Sequence, residues 1–263
     1  MITLGIDIGS TTSKCALLED GSRILGVSLA AGGIGTEGPE DALQQLWEQT
    51  GLSRDSVRYI TVTGYGRRNY MDRDSEVSEL TCHALGAGLR LPGVRTVIDI
   101  GGQDAKVISL SEDGKMTGFV MNDKCAAGTG RFLEVMAAIL RLPLDELGAY
   151  ALDAEKPASI SSTCTVFAES EVISQLAGGE DRRNIAAGIC VSVASRVGAL
   201  ARRAGITAPV CMSGGVARNE AVRRAMEENL GVPVACDPMA QYFGALGAAL
   251  YGYRLCLRQN KEV

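Results

Sequence analysis

The sequence lacks the residue patterns of the commonest zinc and nucleic-acid sites. It has one histidine, His83, and no Cys-x-x-Cys pair. A histidine-based zinc site and a cysteine–histidine nucleophile pair therefore have no local signature. There is no cluster of basic residues, and the formal net charge is −5, so binding to nucleic acid has no electrostatic support.

Long apolar segments are missing as well. No apolar run reaches the roughly 18 residues that cross a membrane. Residues 1–7 lack the basic region of a secretory signal and predict a strand instead. With 46% apolar and 22% charged residues, the composition is that of a soluble globular protein. We expect a cytoplasmic chain without a membrane partner, and its 263 residues allow one large domain or two small ones.

A strand–turn–strand pattern occurs twice at matched places. One strand ends in Asp7-Ile8-Gly9 and is followed by a turn rich in hydroxyl groups, and a later strand ends in Asp99-Ile100-Gly101. One such turn is usually only a turn, but its duplication indicates two structural repeats. Free amides and hydroxyl groups in a turn form a concavity for anions. An aspartate at the strand end can hold a divalent cation through water.

Periodicity and turn residues predict the remaining elements. A glycine-rich strand-to-helix turn at Gly214-Gly215 suits the close approach of a ligand. The loop Gly64–Arg68 has no function that its sequence alone indicates. Strands are predicted at residues 2–8, 14–19, 23–30, 57–62, 96–100, 105–110, 116–121, 209–213 and 232–235, and helices at residues 39–49, 76–89, 129–140, 144–152, 166–176, 182–204 and 242–257, with one more helix that ends at residue 230.

Eight cysteines are many for a chain expected in a reducing compartment. Six are predicted to be buried small hydrophobes in regular elements: Cys15, Cys82, Cys190, Cys211, Cys236 and Cys256. The other two, Cys125 and Cys164, each lie just ahead of a helical run, where the helix dipole favours a thiolate. From the residues alone, three interpretations of this pair stay open: two ordinary thiols, a disulfide, or ligation of a metal or cluster.

The two aspartate turns and the later Gly-Gly turn resemble those of the actin, heat-shock ATPase and sugar-kinase superfamily. Within it, the segments Asn122-Asp123-Lys124-Cys125-Ala126-Ala127-Gly128-Thr129-Gly130 and Ser162-Thr163-Cys164-Thr165-Val166-Phe167-Ala168-Glu169-Ser170-Glu171 are similar to one branch. That branch is the activator (component A) ATPases of the 2-hydroxyacyl-CoA dehydratases, of the BadF/BadG/BcrA/BcrD type, related to the ATPase subunits of benzoyl-CoA reductase.

The resemblance implies an α/β fold. It is the duplicated actin-like ATPase (ribonuclease H-like) fold, with two lobes of mixed sheets flanked by helices. The first lobe is expected over residues 1–92, with a C-terminal helix over residues 242–263 packing back on it. The second lobe is expected over residues 93–241 and carries both Cys125 and Cys164.

The resemblance also implies a function. Members use ATP/ADP and Mg²⁺, and they form a homodimer with one [4Fe-4S] cluster shared between two subunits. Here Cys125 and Cys164 would supply two thiolates from each subunit. ATP binding and hydrolysis move the halves and open the angle between two helices at the cluster. One electron, received from a ferredoxin or flavodoxin, then passes to a 2-hydroxyacyl-CoA dehydratase or related cluster protein.

The resemblance assigns individual residues by motif. Asp7 would organise magnesium, and either Gln103 or Asp104 would orient water. Phosphates would be contacted by Gly9, Ser10, Thr11, Thr12 and Lys14 from the first turn and by Gly101, Gly102, Gln103 and Asp104 from the second. Phosphate and ribose would be contacted by Gly128, Thr129 and Glu134, and the adenosine by Gly214, Gly215, Asn219 and Gln241.

Two alternatives from other classes remain at this point. One is a small-molecule kinase of the same superfamily, which needs a substrate pocket and a catalytic base, although the chain has no obvious insert to build that pocket. The other is an ATP-dependent sensor or assembly module whose nucleotide has a structural role. Iron content separates the first alternative from an activator, and sustained ATP turnover separates the second.

Overall fold

A computed structural model describes residues 1–161 and 164–259 of the chain. Ser162 and Thr163 of the second cysteine segment lie outside the described residues, as does the part of the expected C-terminal helix beyond residue 259. The chain forms two compact units. Unit 1 comprises Met1–Val94, Leu110–Met116 and the segment from Met239 onward, and unit 2 comprises Arg95–Ser109 and Thr117–Pro238.

The described residues form ten strands and eight α-helices, with short 3₁₀ turns at Arg54–Ser56, Gly215–Arg218 and Ala240–Tyr242. The strands are β1 (Ile2–Ile8), β2 (Thr12–Glu19), β3 (Arg23–Ala31), β4 (Tyr59–Gly64), β5 (Ser75–Glu76), β6 (Thr96–Ile100), β7 (Ala105–Leu110), β8 (Met116–Asn122), β9 (Val210–Ser213) and β10 (Val234–Ala235). The helices are α1 (Gly38–Thr50), α2 (Glu79–Arg90), α3 (Gly130–Ile139), α4 (Leu147–Leu152), α5 (Thr165–Ala177), α6 (Arg182–Ala204), α7 (Glu220–Leu230) and α8 (Phe243–Gln259).

The two sheets have the same topology. The first has the strand order β3-β2-β1-β4-β5, and the second has the order β8-β7-β6-β9-β10. In each, the central strand pairs antiparallel with the strand that follows it and parallel with a later strand, which is β4 for β1 and β9 for β6. The repeat predicted from two aspartate turns therefore extends over five strands.

The central strands are buried along almost their whole length and are mostly apolar, as expected for strands covered on both faces. β6 is buried at every position, and β1 is buried from Thr3 onward. Strands buried on both faces show continuous apolar runs instead of alternation. The helix α8 packs on β1, β2, β4 and α2. Glycines permit this packing, because a methyl group on Gly5 would collide with the Ala245 carbonyl and one on Gly247 with the Cys82 carbonyl.

Several predicted boundaries were wrong by a few residues. The predicted helix at 76–89 begins at Glu79, because Ser78 caps it by accepting a hydrogen bond from the Thr81 amide at 3.2 Å, and residues 75–76 form β5 instead. The predicted helix at 144–152 begins only at Leu147. The predicted strands at 57–62 and 232–235 are β4 and β10, which begin two residues later.

Five of the six cysteines expected in the core are buried, and the prediction for Cys236 was wrong, since that residue is exposed just beyond β10. Burial raises the pKa of Cys15, Cys190 and Cys211 to about 12 and also raises that of Cys82. These thiols are therefore held protonated, which is the state that does not bind metals.

One described helix, α6, has the length and composition of a membrane span. Of its most apolar stretch, 72% is buried inside the protein. This is the environment of a core helix, and the buried Ile185, Ile189 and Val193 account for its apolar character.

Candidate functional site

The first aspartate turn is a tight hairpin between β1 and β2. The Gly9 amide donates to the Thr12 carbonyl at 3.1 Å, which closes the turn, and Asp7 pairs with Lys14 across the two strands. The Lys14 ammonium lies 3.6 Å from Asp7 Oδ2, and both side chains are largely buried. The structure thus brings Asp7, Lys14 and the amides of residues 9–12 together in unit 1.

The second turn, between β6 and β7, repeats this geometry in unit 2. The Gly101 amide donates to the Asp104 carbonyl at 2.9 Å, and Asp99 pairs with Lys106 across the strands. The Lys106 ammonium lies 3.4 Å from Asp99 Oδ2 and 2.7 Å from Asp104 Oδ2. Asp104 is therefore held by a buried cation, whereas Gln103 is exposed on the turn.

Lys106 is a site residue that the sequence analysis missed. It follows Asp99 at the same spacing at which Lys14 follows Asp7, so the repeat itself carried the signal. Two hydroxyl residues on the parallel strands were missed as well. Thr63 is paired with Asp7 and Ser213 with Asp99, and sequence reasoning had no means to align β4 with β9.

A glycine follows each of these hydroxyl residues and covers the aspartate. Gly64 has φ +85° and Gly214 has φ +83°, values that favour glycine. A methyl group on Gly64 would lie 2.6 Å from Asp7 Oδ1, and one on Gly214 would lie 2.9 Å from Asp99 Oδ1. Each would also collide with the carbonyl of the residue that follows the aspartate, Ile8 or Ile100. Only a residue without a side chain fits over either carboxylate.

Asp7 has the environment of a cation ligand. Its Oδ1 atom is buried and has no hydrogen-bond partner among the described residues, and the same holds for Asp99 Oδ1 in the second turn. An unsatisfied buried carboxylate oxygen is costly unless a ligand completes it. The start of α8 is also close, because a methyl group on Gly244 would lie 2.7 Å from Asp7 Oδ2. An oxygen donor of this kind suits a hard divalent cation such as Mg²⁺.

The Cys125 loop, residues 123–129, connects β8 to α3 and contacts the second turn. The first amides of α3 bind that turn: Gly130 donates to the Gly101 carbonyl at 2.9 Å and Arg131 to the Gly102 carbonyl at 2.8 Å. In unit 1 the segment after β3 has the same place, since Ile34 donates to the Gly9 carbonyl at 3.0 Å. The Cys125 loop of the second half thus corresponds to the segment after β3 in the first half, which carries no cysteine.

Helix α6 supports the Cys125 loop from behind. A methyl group on Gly128, which has φ +87°, would lie 3.3 Å from the Arg196 Cβ. The Arg196 guanidinium lies 5.8 Å from the centre of the Phe132 ring of α3. A cavity of about 250 Å³ remains at this junction, with Ala127, Gly128 and Arg196 among its lining residues. The Cys125 loop therefore contacts α6 at Gly128, and the adjoining cavity leaves space in which the loop can change its packing.

Cys164 is the N-cap residue of α5, and its thiol is exposed, as is that of Cys125. Helices α3 and α5 pack against each other within unit 2. Each exposed cysteine thus precedes one helix of a packed pair. Beside Cys164, the first turn of α5 exposes Val166 at 65% and Phe167 at 68%, an apolar surface of the kind that marks contact sites.

Three of the predicted nucleotide residues have structural partners in their own unit. Thr129 occupies the N-cap position of α3, but its hydroxyl donates to the Ala126 carbonyl at 2.6 Å instead of capping the helix. Glu134 pairs with Arg131 at 3.0 Å. Asn219 caps α7 by accepting from the Val222 amide at 3.0 Å. Gln241 lies in the 3₁₀ turn before α8, within unit 1.

Comparison with known proteins gives consistent matches over nearly the whole chain. Residues 4–252 match the BadF/BadG/BcrA/BcrD ATPase family. The chain is 55% identical to the (R)-2-hydroxyglutaryl-CoA dehydratase activating ATPase of Acidaminococcus fermentans, with 96% of this chain and 97% of that protein covered. It is 52% identical to the activator of lactoyl-CoA dehydratase of Anaerotignum propionicum, with 96% and 98% covered.

Solved structures agree. The activator of the 2-hydroxyisocaproyl-CoA dehydratase from Clostridium difficile with bound ADPNP matches with a TM-score of 0.98 at 49% identity, covering 100% of this chain and 98% of that one. A ROK family glucokinase from Streptomyces griseus, complexed with glucose and AMPPNP, matches with a TM-score of 0.61 at 15% identity, covering 97% and 100%. The glucokinase shows the fold alone. The predicted duplicated actin-like ATPase fold is confirmed.

Proposed function

We propose, because this chain belongs to the BadF/BadG/BcrA/BcrD ATPase family, that it hydrolyses ATP to deliver a single low-potential electron to a 2-hydroxyacyl-CoA dehydratase or a related cluster protein. One observation carries the proposal: the helix that follows the Cys125 loop is hydrogen-bonded to the second turn through Gly130 and Arg131. The candidate cluster loop and a candidate phosphate turn are thus parts of one connected element.

The nucleotide is assigned to the two hairpin turns. Residues 9–12 and 101–104 are assigned to the phosphates, with the Gly9 and Gly101 amides used to close the two turns and Lys14 adding a positive charge. Asp7 holds Mg²⁺. Asp7 and Asp99 both keep a buried Oδ1 without a hydrogen-bond partner among the described residues, and Asp7 is assigned because Asp99 already shares Lys106 with Asp104. We assign the orientation of water to exposed Gln103, since Asp104 is already held by Lys106 at 2.7 Å. The reaction is the hydrolysis of ATP to ADP and phosphate.

Cys125 and Cys164 are assigned to a [4Fe-4S] cluster shared by a homodimer. Such a cluster takes about four thiolates, so two exposed thiols per subunit match one cluster per dimer. Five other thiols are buried, and Cys236 donates its thiol to the Ala217 carbonyl at 3.2 Å. When bound, the cluster supplies one-electron transfer at low potential. Exposed Val166 and Phe167 beside Cys164 support burial against a second subunit.

The protein's own residues supply the gate. The Gly130 and Arg131 amides bind the second turn, so a movement of that turn displaces the start of α3 and with it the Cys125 loop. The electron donor is a ferredoxin or flavodoxin, and the compartment is the cytoplasm, where thiols stay reduced. The names of the relatives support a dehydratase as the electron acceptor.

Iron content tests the cluster assignment. Anaerobically purified wild-type protein should contain about four irons per dimer, hydrolyse ATP and activate a dehydratase in the presence of a reduced ferredoxin. Cys125→Ser and Cys164→Ser should each lose the iron, because two thiolates per dimer remain. Cys190→Ser, a change at a buried thiol, should keep the iron and lose at most about 1–2 kcal/mol of stability. A Cys125→Ser protein with its full iron content would rule out the shared cluster.

A further inference from the structure

The loop at the end of β4, residues 64–69, is the first-half duplicate of the glycine turn after β9. In the Gly64 loop, the Arg67 amide donates to the Gly64 carbonyl at 3.4 Å and the Asn69 amide to the Gly66 carbonyl at 3.0 Å. After β9, the same two bonds join Ala217 to Gly214 at 3.2 Å and Asn219 to Val216 at 2.9 Å. Gly64 thus corresponds to Gly214, and Asn69 to Asn219.

The duplicates differ in charge at one position. Arg67 stands where the second half has Ala217, whereas the next position is arginine in both, Arg68 and Arg218. Arg67 is half-buried, and its guanidinium donates to the Gly64 carbonyl at 2.9 Å. Across residues 1–161 and 164–259, no carboxylate lies within ion-pair distance of Arg67. A half-buried guanidinium held by one carbonyl keeps further donors for an anion from outside the chain.

The loop is fixed beside the first phosphate turn. The Gly66 amide donates to the Ile8 carbonyl at 3.0 Å, immediately before Gly9. Gly64, whose carbonyl holds Arg67, lies against Asp7, the candidate magnesium ligand. A methyl group on Gly64 would lie 2.6 Å from Asp7 Oδ1. All of these contacts lie within unit 1. The guanidinium is therefore held next to the place where the terminal phosphates of a nucleotide are expected.

We propose that Arg67 binds the terminal phosphate of a nucleoside triphosphate held at the first turn, and that it distinguishes the triphosphate from the diphosphate. The inference rests on the proposed function, because it presupposes nucleotide binding at residues 9–12. A guanidinium presents five donors in one plane, and one of them on Arg67 is used by the Gly64 carbonyl. The remaining donors suit the oxygens of a phosphoryl group.

The test compares two nucleotides on the anaerobic full-length protein by titration calorimetry in the presence of magnesium. In Arg67→Ala, affinity for the non-hydrolysable analogue ADPNP should fall at least about tenfold, as expected for a charge-assisted hydrogen bond, whereas affinity for ADP should change less than about threefold. Arg67→Lys should restore part of the difference, because it keeps the charge but loses the fork. The turn should survive Arg67→Ala, since Ala217 forms the same turn in the second half.

Arg68→Ala is the matched control. Arg68 is exposed and lies 3.9 Å from Glu76, so its removal should leave both affinities unchanged. Equal losses for ADPNP and ADP with a lower melting temperature would show that Arg67 only braces Gly64, and the proposal would be wrong. Unchanged affinities of Arg67→Ala for ADPNP and ADP would overturn it too, even if that variant failed to activate the dehydratase. A wild-type protein that binds neither nucleotide would remove the proposed function together with this inference.

Discussion

At the scale of single residues, the two strand-end aspartates have different surroundings. Asp99 shares the Lys106 ammonium with Asp104, at 3.4 and 2.7 Å. Asp7 has Lys14 at 3.6 Å on one oxygen and keeps a buried Oδ1 that no described residue contacts by a hydrogen bond. The duplicated fold therefore gives each half a carboxylate–lysine pair. Both carboxylates also keep a buried Oδ1 with no hydrogen-bond partner among the described residues, so the halves differ in the lysine, which is shared with a second carboxylate, Asp104, only in the second half.

Replacing Asp7 tests this assignment. Asp7→Asn keeps the shape of the side chain and removes the charge that organises the metal. ATP hydrolysis, measured by phosphate release, should fall by about two orders of magnitude, because a contact of this kind contributes a few kcal/mol in the transition state. The melting temperature should change little. The control Asp113→Asn makes the same change at an exposed carboxylate paired with Lys115 and should keep the full rate. Wild-type hydrolysis by Asp7→Asn would refute the assignment.

At the scale of elements, the site depends on turns whose backbone approaches another strand closely. Gly64 and Gly214 both have left-handed φ values and both lie over an aspartate and the carbonyl that follows it. Gly179 has the same φ as Gly214, +83°, but nothing lies within 4 Å of the position where its Cβ would be. Comparing Gly214 with Gly179 separates the cost of the backbone conformation from the cost of the close approach.

Alanine substitutions should reveal that separation. Gly179→Ala should lower the free energy of unfolding by about 1–2 kcal/mol, the cost of a left-handed residue with a side chain. Gly214→Ala should cost about 3 kcal/mol, because the methyl group also collides with the Ile100 carbonyl. It should also weaken nucleotide binding, since Asp99 or the turn must move. Denaturant unfolding and calorimetry measure both effects. Equal losses of stability in the two variants would mean that the turn absorbs the methyl group freely.

At the scale of the whole molecule, function requires that the nucleotide and the cluster respond to each other. A connected path exists within unit 2: the second turn binds the Gly130 and Arg131 amides, and the Cys125 loop leads directly into the same helix. Coupling also requires that ATP and ADP have different affinities for two states of the protein. Moving the balance almost completely from one state to the other takes about 5 kcal/mol of differential binding.

Chelation of the iron measures this coupling. Magnesium-ATP, or ADP with a metal fluoride, should speed removal of the cluster by bathophenanthroline, and ADP should protect it, because only the triphosphate state shifts the second turn. The difference should vanish in Asp7→Asn, although that protein stays folded. The same chelation rate with ATP, with ADP and without nucleotide would show that the two sites are independent, and the electron-gating role would be lost.

Much of the site could be predicted from the sequence because its signals are local. The Asp7 and Asp99 turns consist of consecutive residues at strand ends, and the spacing between strand, turn and strand is the same in both halves. The burial of five cysteines followed from their apolar neighbours, but Cys236 was wrongly placed in the core because it lies just beyond the last residue of β10, Ala235, where it is exposed. Local pattern thus determined the duplicated turns and set Cys125 and Cys164 apart from the core cysteines, whereas the fold class and the cluster assignment came from the resemblance to the activator ATPases.

Only the tertiary structure showed that the Gly64 loop duplicates the Gly214 turn and that Thr63 and Ser213 flank the two aspartates. Parallel pairing joins strands that are far apart in the sequence, so no local pattern reports it. The second half also places the Cys125 loop and helices α3–α6 before β9. The two glycine turns are therefore separated by a different number of residues than the two aspartate turns. Their correspondence is shown only by the strand pairing and by their shared backbone hydrogen bonds.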